Sequence, residues 1–273
     1  MRKVLRKLYA FIKWIKWDGN ISVASVNNIT FSDSLKEKRV VVTGGSDGIG
    51  LAIAKTMLES GAEVLITGRN KEKLQLRKEE LSNPRLHILQ WDVSVISSIE
   101  SKLNECIRIL GRIDVFVNNA GFLERFRKDE EYFDKVMTTN LKSVHYICQY
   151  LIEYYLATAN HSYRKIINIS SMNAFQGAAH PYYYSKRAMN SITEGLGRKY
   201  ASEKIIVNGI APGICASSIN YQDVSDNAYY AGNSIKRVVL PEEIASIACF
   251  LATDAANGIV GQTIICDGGE TLR

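Results

Sequence analysis

The sequence predicts an α/β fold: a doubly wound parallel sheet with helices on both faces, three layers in all, in one domain that follows a basic N-terminal arm. Three observations carry that expectation. From residue 38 onward, short β-branched runs alternate with segments of helical period, the pattern of a parallel sheet covered on both faces. A glycine cluster separates the first strand from the first helix. No internal repeat or low-complexity stretch interrupts the alternation, and right-handed crossovers then set the winding.

The elements follow in order. Residues 39–42 are a β-branched run that leads into glycines. Residues 49–59 read as a helix closed by Gly61, 62–67 as a strand and 72–81 as a helix. A strand over 86–90, a helix over 96–110 and a strand over 113–117 come next. Helical periodicity fills 131–156. It is followed by a strand over 165–169, a helix over 182–200, a strand over 205–210, a helix over 241–251 and a last strand over 262–266. A chain of 273 residues that is 46% apolar is long enough for one such domain and its core.

Residues 1–36 differ from the rest and are assigned to an arm and linker, with the domain proper at 37–273. The first 17 residues hold Arg2, Lys3, Arg6, Lys7, Lys13 and Lys16 and no acidic residue. On a helical wheel Val4, Leu5, Leu8, Phe11, Ile12 and Ile15 share one face. Two roles stay open: a helix lying on an anionic membrane surface, or an arm packed on the body or a neighbouring subunit. Lysines interrupt its apolar core along the sequence and no small-residue cleavage site follows, so it does not read as a signal peptide. Without those six basic residues, basic and acidic residues balance, which argues against a nucleic-acid-binding body. No run approaches the roughly 20 apolar residues of a membrane-spanning helix. Five scattered cysteines without a C-x-x-C pair argue against a disulfide framework or zinc site and for a reducing, cytoplasmic setting, with membrane association at the inner surface left open.

The cluster Thr43-Gly44-Gly45-Ser46-Asp47-Gly48-Ile49-Gly50 sits where a Rossmann-type sheet holds a dinucleotide. Glycines let the backbone turn sharply and approach a pyrophosphate, and the following helix offers free N–H groups to it. The second strand ends in Thr67-Gly68-Arg69-Asn70. An acid there would accept from a ribose 2′-hydroxyl and select NAD, whereas an arginine pairs with the 2′-phosphate of NADP. Arg69 therefore favours NADP(H). NAD(H) stays open, because Asp47 in the glycine loop would repel a phosphate.

In Pro181-Tyr182-Tyr183-Tyr184-Ser185-Lys186 only Tyr182 stands four residues before the lysine, so the two share a helix face. An ammonium beside a phenol favours phenolate, which draws a proton carrier toward working pH.

These motifs, in this order, resemble the short-chain dehydrogenase/reductases in their single-domain branch. They are TGGSDGIG, Asp92-Val93, Asn118-Asn119-Ala120-Gly121, Asn140, Ser170-Ser171, Tyr182-x-x-x-Lys186, Ala211-Pro212-Gly213 and a closing GQTIICDGG. The resemblance runs from about Leu35 to Gly269. It implies hydride transfer between a nicotinamide and a carbonyl or secondary alcohol, with Tyr182 as general acid/base. Lys186 would lower the tyrosine pKa and hold the nicotinamide ribose. Ser171 would polarise the substrate carbonyl, and Asn140 would hold a water that links Lys186 to solvent. Gly44, Ser46, Ile49 and the neighbouring glycines would cradle the pyrophosphate, Asp92 and Val93 would meet the adenine, and Asn118 and Ala120 the adenosine ribose, with Gly121 beside them. Pro212, Gly213, Ile214 and Ser217 would hold the nicotinamide end. The family's serine lies about thirteen residues before the tyrosine, while Ser171 lies eleven before and Ser170 twelve, so Ser170 stays the alternative. The loop between them is short, which should reshape the substrate pocket. A homodimer or homotetramer is also implied.

Other features read as structural. His180 is a lone histidine beside the Pro181-Tyr182 step, and His87, His145 and His161 lack metal-ligand spacing. The mixed charge run 124–131 reads as a solvated loop. Cys215 has no base paired with it. The segment 216–236, a substrate lid, is polar and contains Tyr221, Tyr229 and Tyr230, which leans toward a polar substrate such as a sugar, polyol or hydroxyacyl group. A cofactor-binding protein without turnover, tethered by the arm, is the alternative from another class. The complete Tyr182, Lys186, Ser171 and Asn140 set argues against it.

Overall fold

The computed structural model describes residues 32–124, 127, 129–158, 162–216 and 227–272. The basic arm therefore lies outside the described residues, as do Ser217, Tyr221 and His161. Seven strands form one sheet: β1 (Arg39–Thr43), β2 (Glu63–Gly68), β3 (Leu86–Gln90), β4 (Val115–Asn118), β5 (Arg164–Ile169), β6 (Ile205–Pro212) and β7 (Thr263–Cys266). Their order is β3-β2-β1-β4-β5-β6-β7, and every pairing is parallel. The winding reverses between β1 and β4, so a crevice opens beyond their C-terminal ends.

Alternate strand residues face opposite layers. Val40, Val42, Val115 and Val117 pack with α1 (Gly48–Glu59), α2 (Lys71–Leu81) and α7 (Pro241–Ala252) through Ile53, Met57, Leu74, Ile244 and Ala248. Val41, Phe116 and Ile166 pack with α3 (Ile99–Leu110), α5 (Ser143–Ala157) and α6 (Pro181–Tyr200) through Leu103, Cys106, Ile147, Leu151 and Met189. All five cysteines are free thiols. No described helix is long and apolar enough to cross a membrane.

Three details depart from the expected elements. Residues 96–98 form a 3₁₀ turn before α3 rather than its first turn. The continuous helix expected over 131–156 is two helices, α4 (Glu130–Met137) and α5, joined by a π-turn at Thr138–Lys142. Leu35, expected at the end of a polar linker, is fully buried in the core and its N–H donates to the Ser60 carbonyl at 2.9 Å.

The N-terminal ends of the strands are pinned by Asp114, which is 3% exposed. Its carboxylate accepts from the Arg39 backbone N–H at 2.8 Å, from Arg112 Nε at 3.0 Å and from the buried Arg164 guanidinium. A buried ion pair adds little against an apolar replacement, but losing one partner strands the other charge. Asp114→Ala should therefore lower unfolding stability by about 3 kcal/mol or more, read as a lower urea midpoint, while cofactor affinity at the opposite end of the sheet stays near wild type.

Candidate active site

At the C-terminal end of β1 the chain turns through Gly44 (φ +65°) and Gly48 (φ +51°), a conformation that favours glycine. The Asp47 carboxylate caps α1 by accepting the Gly48 N–H at 2.8 Å. A Cβ on Gly50 would run into the Gly44 carbonyl and the Asn119 amide nitrogen, so α1 starts hard against the turn. Thr43 braces the neighbouring loop: its Oγ1 accepts from the N–H groups of Asn119 and Ala120, each at 3.0 Å, and donates to the Val117 carbonyl at 3.2 Å. Asn119 Nδ2 returns hydrogen bonds to the carbonyls of Thr43 at 2.8 Å and Gly44 at 3.2 Å.

A cleft of about 350 Å³ runs from this turn across the sheet's C-terminal edge to Tyr182 and Lys186. Of the residues expected around a cofactor, Gly44, Ser46, Asp47, Gly48, Ile49, Gly50, Arg69, Asp92, Val93, Ala120, Gly121, Pro212, Gly213 and Ile214 line it. Thr43 and Asn118 are not among the lining residues. Thr43 is spent on the bracing just described. Asn118 is 2% exposed, and its Nδ2 donates to Asn168 Oδ1 at 2.8 Å inside the sheet layer. Asn119, one residue on, takes the place at the cleft that Asn118 was expected to hold. Lys73, Trp91, Phe122, Leu123, Thr139, Met172 and Asn173, which no motif marks, also line the wall, as does Cys215.

At the end beyond β2, Lys73 Nζ contacts Asp47 Oδ2 at 2.6 Å, with both side chains more than a third exposed. Arg77 Nε donates to the Ser46 carbonyl at 3.1 Å. Arg69 is exposed at the cleft. Three cations thus surround the loop that carries Asp47. Asp92 spends Oδ1 on the backbone N–H of Ser94 at 3.0 Å and on its hydroxyl at 2.7 Å, which shapes the wall beside Trp91.

At the other end, Lys186 is 3% exposed and its Nζ donates to the Ile169 carbonyl at 2.7 Å. It lies 5.7 Å from the centroid of the Tyr182 ring. Ser171 is the hydroxyl side chain that acts on the Tyr182 phenol, favouring its charged form against burial, and both residues line the cleft. Ser171 Oγ also accepts the Asn173 N–H at 3.2 Å, a local turn made by the 3₁₀ segment Met172–Phe175 that follows. Ser170 points elsewhere: its Oγ donates to Asn190 Oδ1 at 2.6 Å and approaches the Lys186 carbonyl at 3.3 Å. Of the two serines, Ser171 is the one at the tyrosine.

The charges correct one expectation. Burial pushes the Tyr182 phenol up to about 12, against a lowering contribution from Ser171. Burial also pulls the Lys186 amine down to about 7. Burial rather than the neighbouring lysine thus sets the direction of the tyrosine shift, because burial disfavours the charged form of each group. The Asn140 side chain is itself held within the protein. Its Oδ1 accepts the Phe122 N–H at 2.7 Å, and its Nδ2 donates to the Phe122 carbonyl at 2.9 Å and to Ser185 Oγ at 3.4 Å. It thus clasps the cleft wall at Phe122 from within the π-turn, a device often found at functional sites. A Cβ on Gly121 would come 3.6 Å from Asn140 Oδ1 and 3.9 Å from Lys186 Nζ. Burial likewise raises the Cys215 thiol, which leaves it a poor nucleophile.

Sequence and structure comparisons bear on this arrangement. The family model described as enoyl-(acyl carrier protein) reductase matches residues 44–271. A 3-oxoacyl-(acyl-carrier-protein) reductase from Chlamydia trachomatis is 34% identical over 248 residues, 87% of this chain and 99% of its own. A glucose 1-dehydrogenase from Gluconobacter oxydans is 34% identical over 254 residues, 89% of this chain and 95% of its own. A Burkholderia cenocepacia short-chain dehydrogenase solved in complex with NADP superimposes with a TM-score of 0.77 at 25% identity, covering 87% of this chain and 99% of that one. The chain belongs to the short-chain dehydrogenase/reductase family. It is thus an oxidoreductase-family protein of Rossmann fold whose relatives use nicotinamide cofactors.

The depressed lysine has a consequence for stability. An unfolded lysine keeps its proton to about pH 10.4, whereas folded Lys186 releases it near 7. Between those values the unfolded state binds more protons, so stability rises with pH across that window and the penalty is largest below it. Lys165, pulled by burial to about 8, adds in the same direction. Lys186→Met should therefore show a smaller gain in urea midpoint between pH 6 and pH 9 than the wild-type protein.

Proposed function

We propose that this protein is an NADP(H)-dependent reductase or dehydrogenase that interconverts a carbonyl and a secondary alcohol, with Tyr182 as the proton carrier. The observation that carries the proposal is the gathering of Tyr182, Ser171 and the buried Lys186 amine, 5.7 Å from the tyrosine ring centroid, at one end of a cleft whose other end is a glycine turn. The residues fit a dinucleotide. The turn at Gly44 and Gly48 and the side-chain-free approach at Gly50 leave room for a pyrophosphate at the α1 N-terminus. Asp92, Val93 and Ala120 would flank the adenosine, and Pro212, Gly213 and Ile214 the nicotinamide end, with Ser217 as a further contact. When bound, the nicotinamide supplies or accepts the hydride.

The chain's own residues do the remaining work. Ser171 Oγ accepts the Asn173 N–H, which leaves its own proton to give to a substrate carbonyl and polarise it. A phenol held up to about 12 stays protonated at neutral pH, the form that gives a proton to the developing alkoxide. Lys186, 5.7 Å from the tyrosine ring centroid, would offset the phenolate charge by holding a proton taken up from solvent. Asn140 fixes Phe122 and so the wall that faces the reaction.

Arg69 favours NADP(H), and Lys73 answers the objection raised by Asp47, since it pairs with that carboxylate and offsets its repulsion of a phosphate. Asp47 remains the feature that favours NAD(H). The relatives' names support substrates that carry a keto or hydroxyl carbon, in keeping with the polar 216–236 segment. The domain is proposed to span 37–273, with residues 1–36 as an arm that contacts a membrane surface or a neighbouring subunit in a cytoplasmic homodimer or homotetramer.

Tyr182→Phe should lower kcat by roughly 10²- to 10⁴-fold with NADPH affinity retained, measured by cofactor oxidation against a carbonyl panel and by titration of NADPH fluorescence. Full turnover in that variant would end the assignment. Arg69→Ala should weaken NADPH binding about tenfold or more, as expected for loss of a charge-assisted hydrogen bond, with NADH binding unchanged. Equal losses for both cofactors would favour NAD(H).

A further inference from the structure

Helix α6 carries Tyr182 at its second position, and the side chain that starts this helix is an imidazole. His180 is extended (φ −148°, ψ 132°) as the N-cap residue, and its Nδ1 accepts the Tyr182 N–H at 3.2 Å. Its carbonyl takes the N–H of Tyr183 at 3.0 Å and of Tyr184 at 3.4 Å. The side chain therefore holds the one N–H that belongs to the proton carrier. The ring is itself held edge-on by Tyr132 of α4, with centroids 5.7 Å apart at 66°, and by Tyr183, 6.0 Å away at 65°. Tyr132 is fully buried. It leans on Phe122 at 6.0 Å, the residue clasped by Asn140.

An imidazole is an unusual choice for this place. Serine, threonine, aspartate and asparagine are the strong caps, and none of them loses its acceptor near neutral pH. Histidine accepts at Nδ1 only when neutral and with its proton on Nε2. Once protonated it loses the lone pair and puts a positive charge at the positive end of the helix dipole. The titratable groups that meet the ring include Tyr132 from α4 and Tyr182 and Tyr183 from α6. Glu124 donates its backbone N–H to the Tyr132 hydroxyl at 3.4 Å, and Lys135 Nζ sits 4.4 Å over the Phe122 ring.

We propose that His180 is a positioning residue for Tyr182. Its neutral imidazole fixes the tyrosine backbone and so the placement of the phenol against Ser171, and protonation of the ring releases that hold. The proposal rests on Tyr182 being the proton carrier, and the test separates the two ideas.

The direct readout needs no substrate. The hydrogen-exchange protection of the Tyr182 amide, followed by NMR on the full chain, should fall in the wild-type protein as pH drops through the histidine range near 6.5. Protection should stay level in His180→Asn, whose oxygen caps without titrating, and be low throughout in His180→Ala. In turnover of ethyl acetoacetate with NADPH, His180→Ala should lower kcat, with KM for NADPH kept. His180→Asn should restore most of kcat and remove the acid-side fall. Unchanged Tyr182 protection in His180→Ala, or the same pH dependence in His180→Asn as in wild type, overturns the proposal. An inactive Tyr182→Phe beside a fully active His180→Ala defeats the positioning role alone. An active Tyr182→Phe defeats the catalytic reading, and the positioning role with it.

Discussion

The Nζ of Lys186 gives its hydrogen bond to the last carbonyl of β5, and much of the site follows from that one contact. It ties α6 to the end of β5 at a fixed height. Tyr182 then stands one turn nearer the helix start, on the same face. Ser170, at the next step of the chain, is drawn under α6 by Asn190. Because successive residues of an extended chain point to opposite sides, Ser171 is turned back toward the tyrosine. A buried amine is costly, and its neutral form lowers that cost. The same contact that orders the site is therefore also a source of pH-dependent stability.

The sheet divides labour between its two edges. At the N-terminal edge the buried Asp114 carboxylate takes the Arg39 backbone N–H and the guanidinium groups of Arg112 and Arg164, an arrangement suited to holding strands in place. At the C-terminal edge the polar groups are held by backbone partners and left facing the cleft. Phe122 is gripped through its own N–H and carbonyl by Asn140, and Asn119 is gripped by Thr43. Binding residues at this edge are thus set by main-chain geometry. Their side chains stay available.

The strand–helix alternation was readable because burial on two faces imposes it residue by residue, and the glycine turn because it needs conformations that few other residues adopt. The Tyr182–Lys186 spacing was readable because one helix turn relates the two. What escaped is of another kind. The π-turn at Thr138–Lys142 leaves the apolar pattern on either side intact, so periodicity alone runs straight through it. Asn118 and Asn119 are adjacent and chemically identical, and only the strand register decides which faces the cleft. Ser170 and Ser171 are separated by Asn190, a partner twenty residues from Ser170. Lys73 reaches Asp47 across twenty-six positions. His180 looked like a lone histidine because its partner is a backbone N–H, which leaves no mark in side-chain spacing.

The opposed shifts of Tyr182 and Lys186 fit a single proton inventory. Burial pushes the phenol up to about 12 and pulls the amine down to about 7, so it favours the neutral form of both groups before reaction. A phenol that gives up its proton in such a place creates a phenolate that burial strongly disfavours. The nearby amine becomes far more basic at that moment, since an adjacent anion favours ammonium. The two groups must then be treated as one coupled titrating unit: in the proposed reaction the phenol proton goes to the alkoxide, and a proton taken up by Lys186 from solvent offsets the phenolate charge. In this view the lysine assists the tyrosine most once the phenolate exists, and a lowered resting tyrosine pKa is not required.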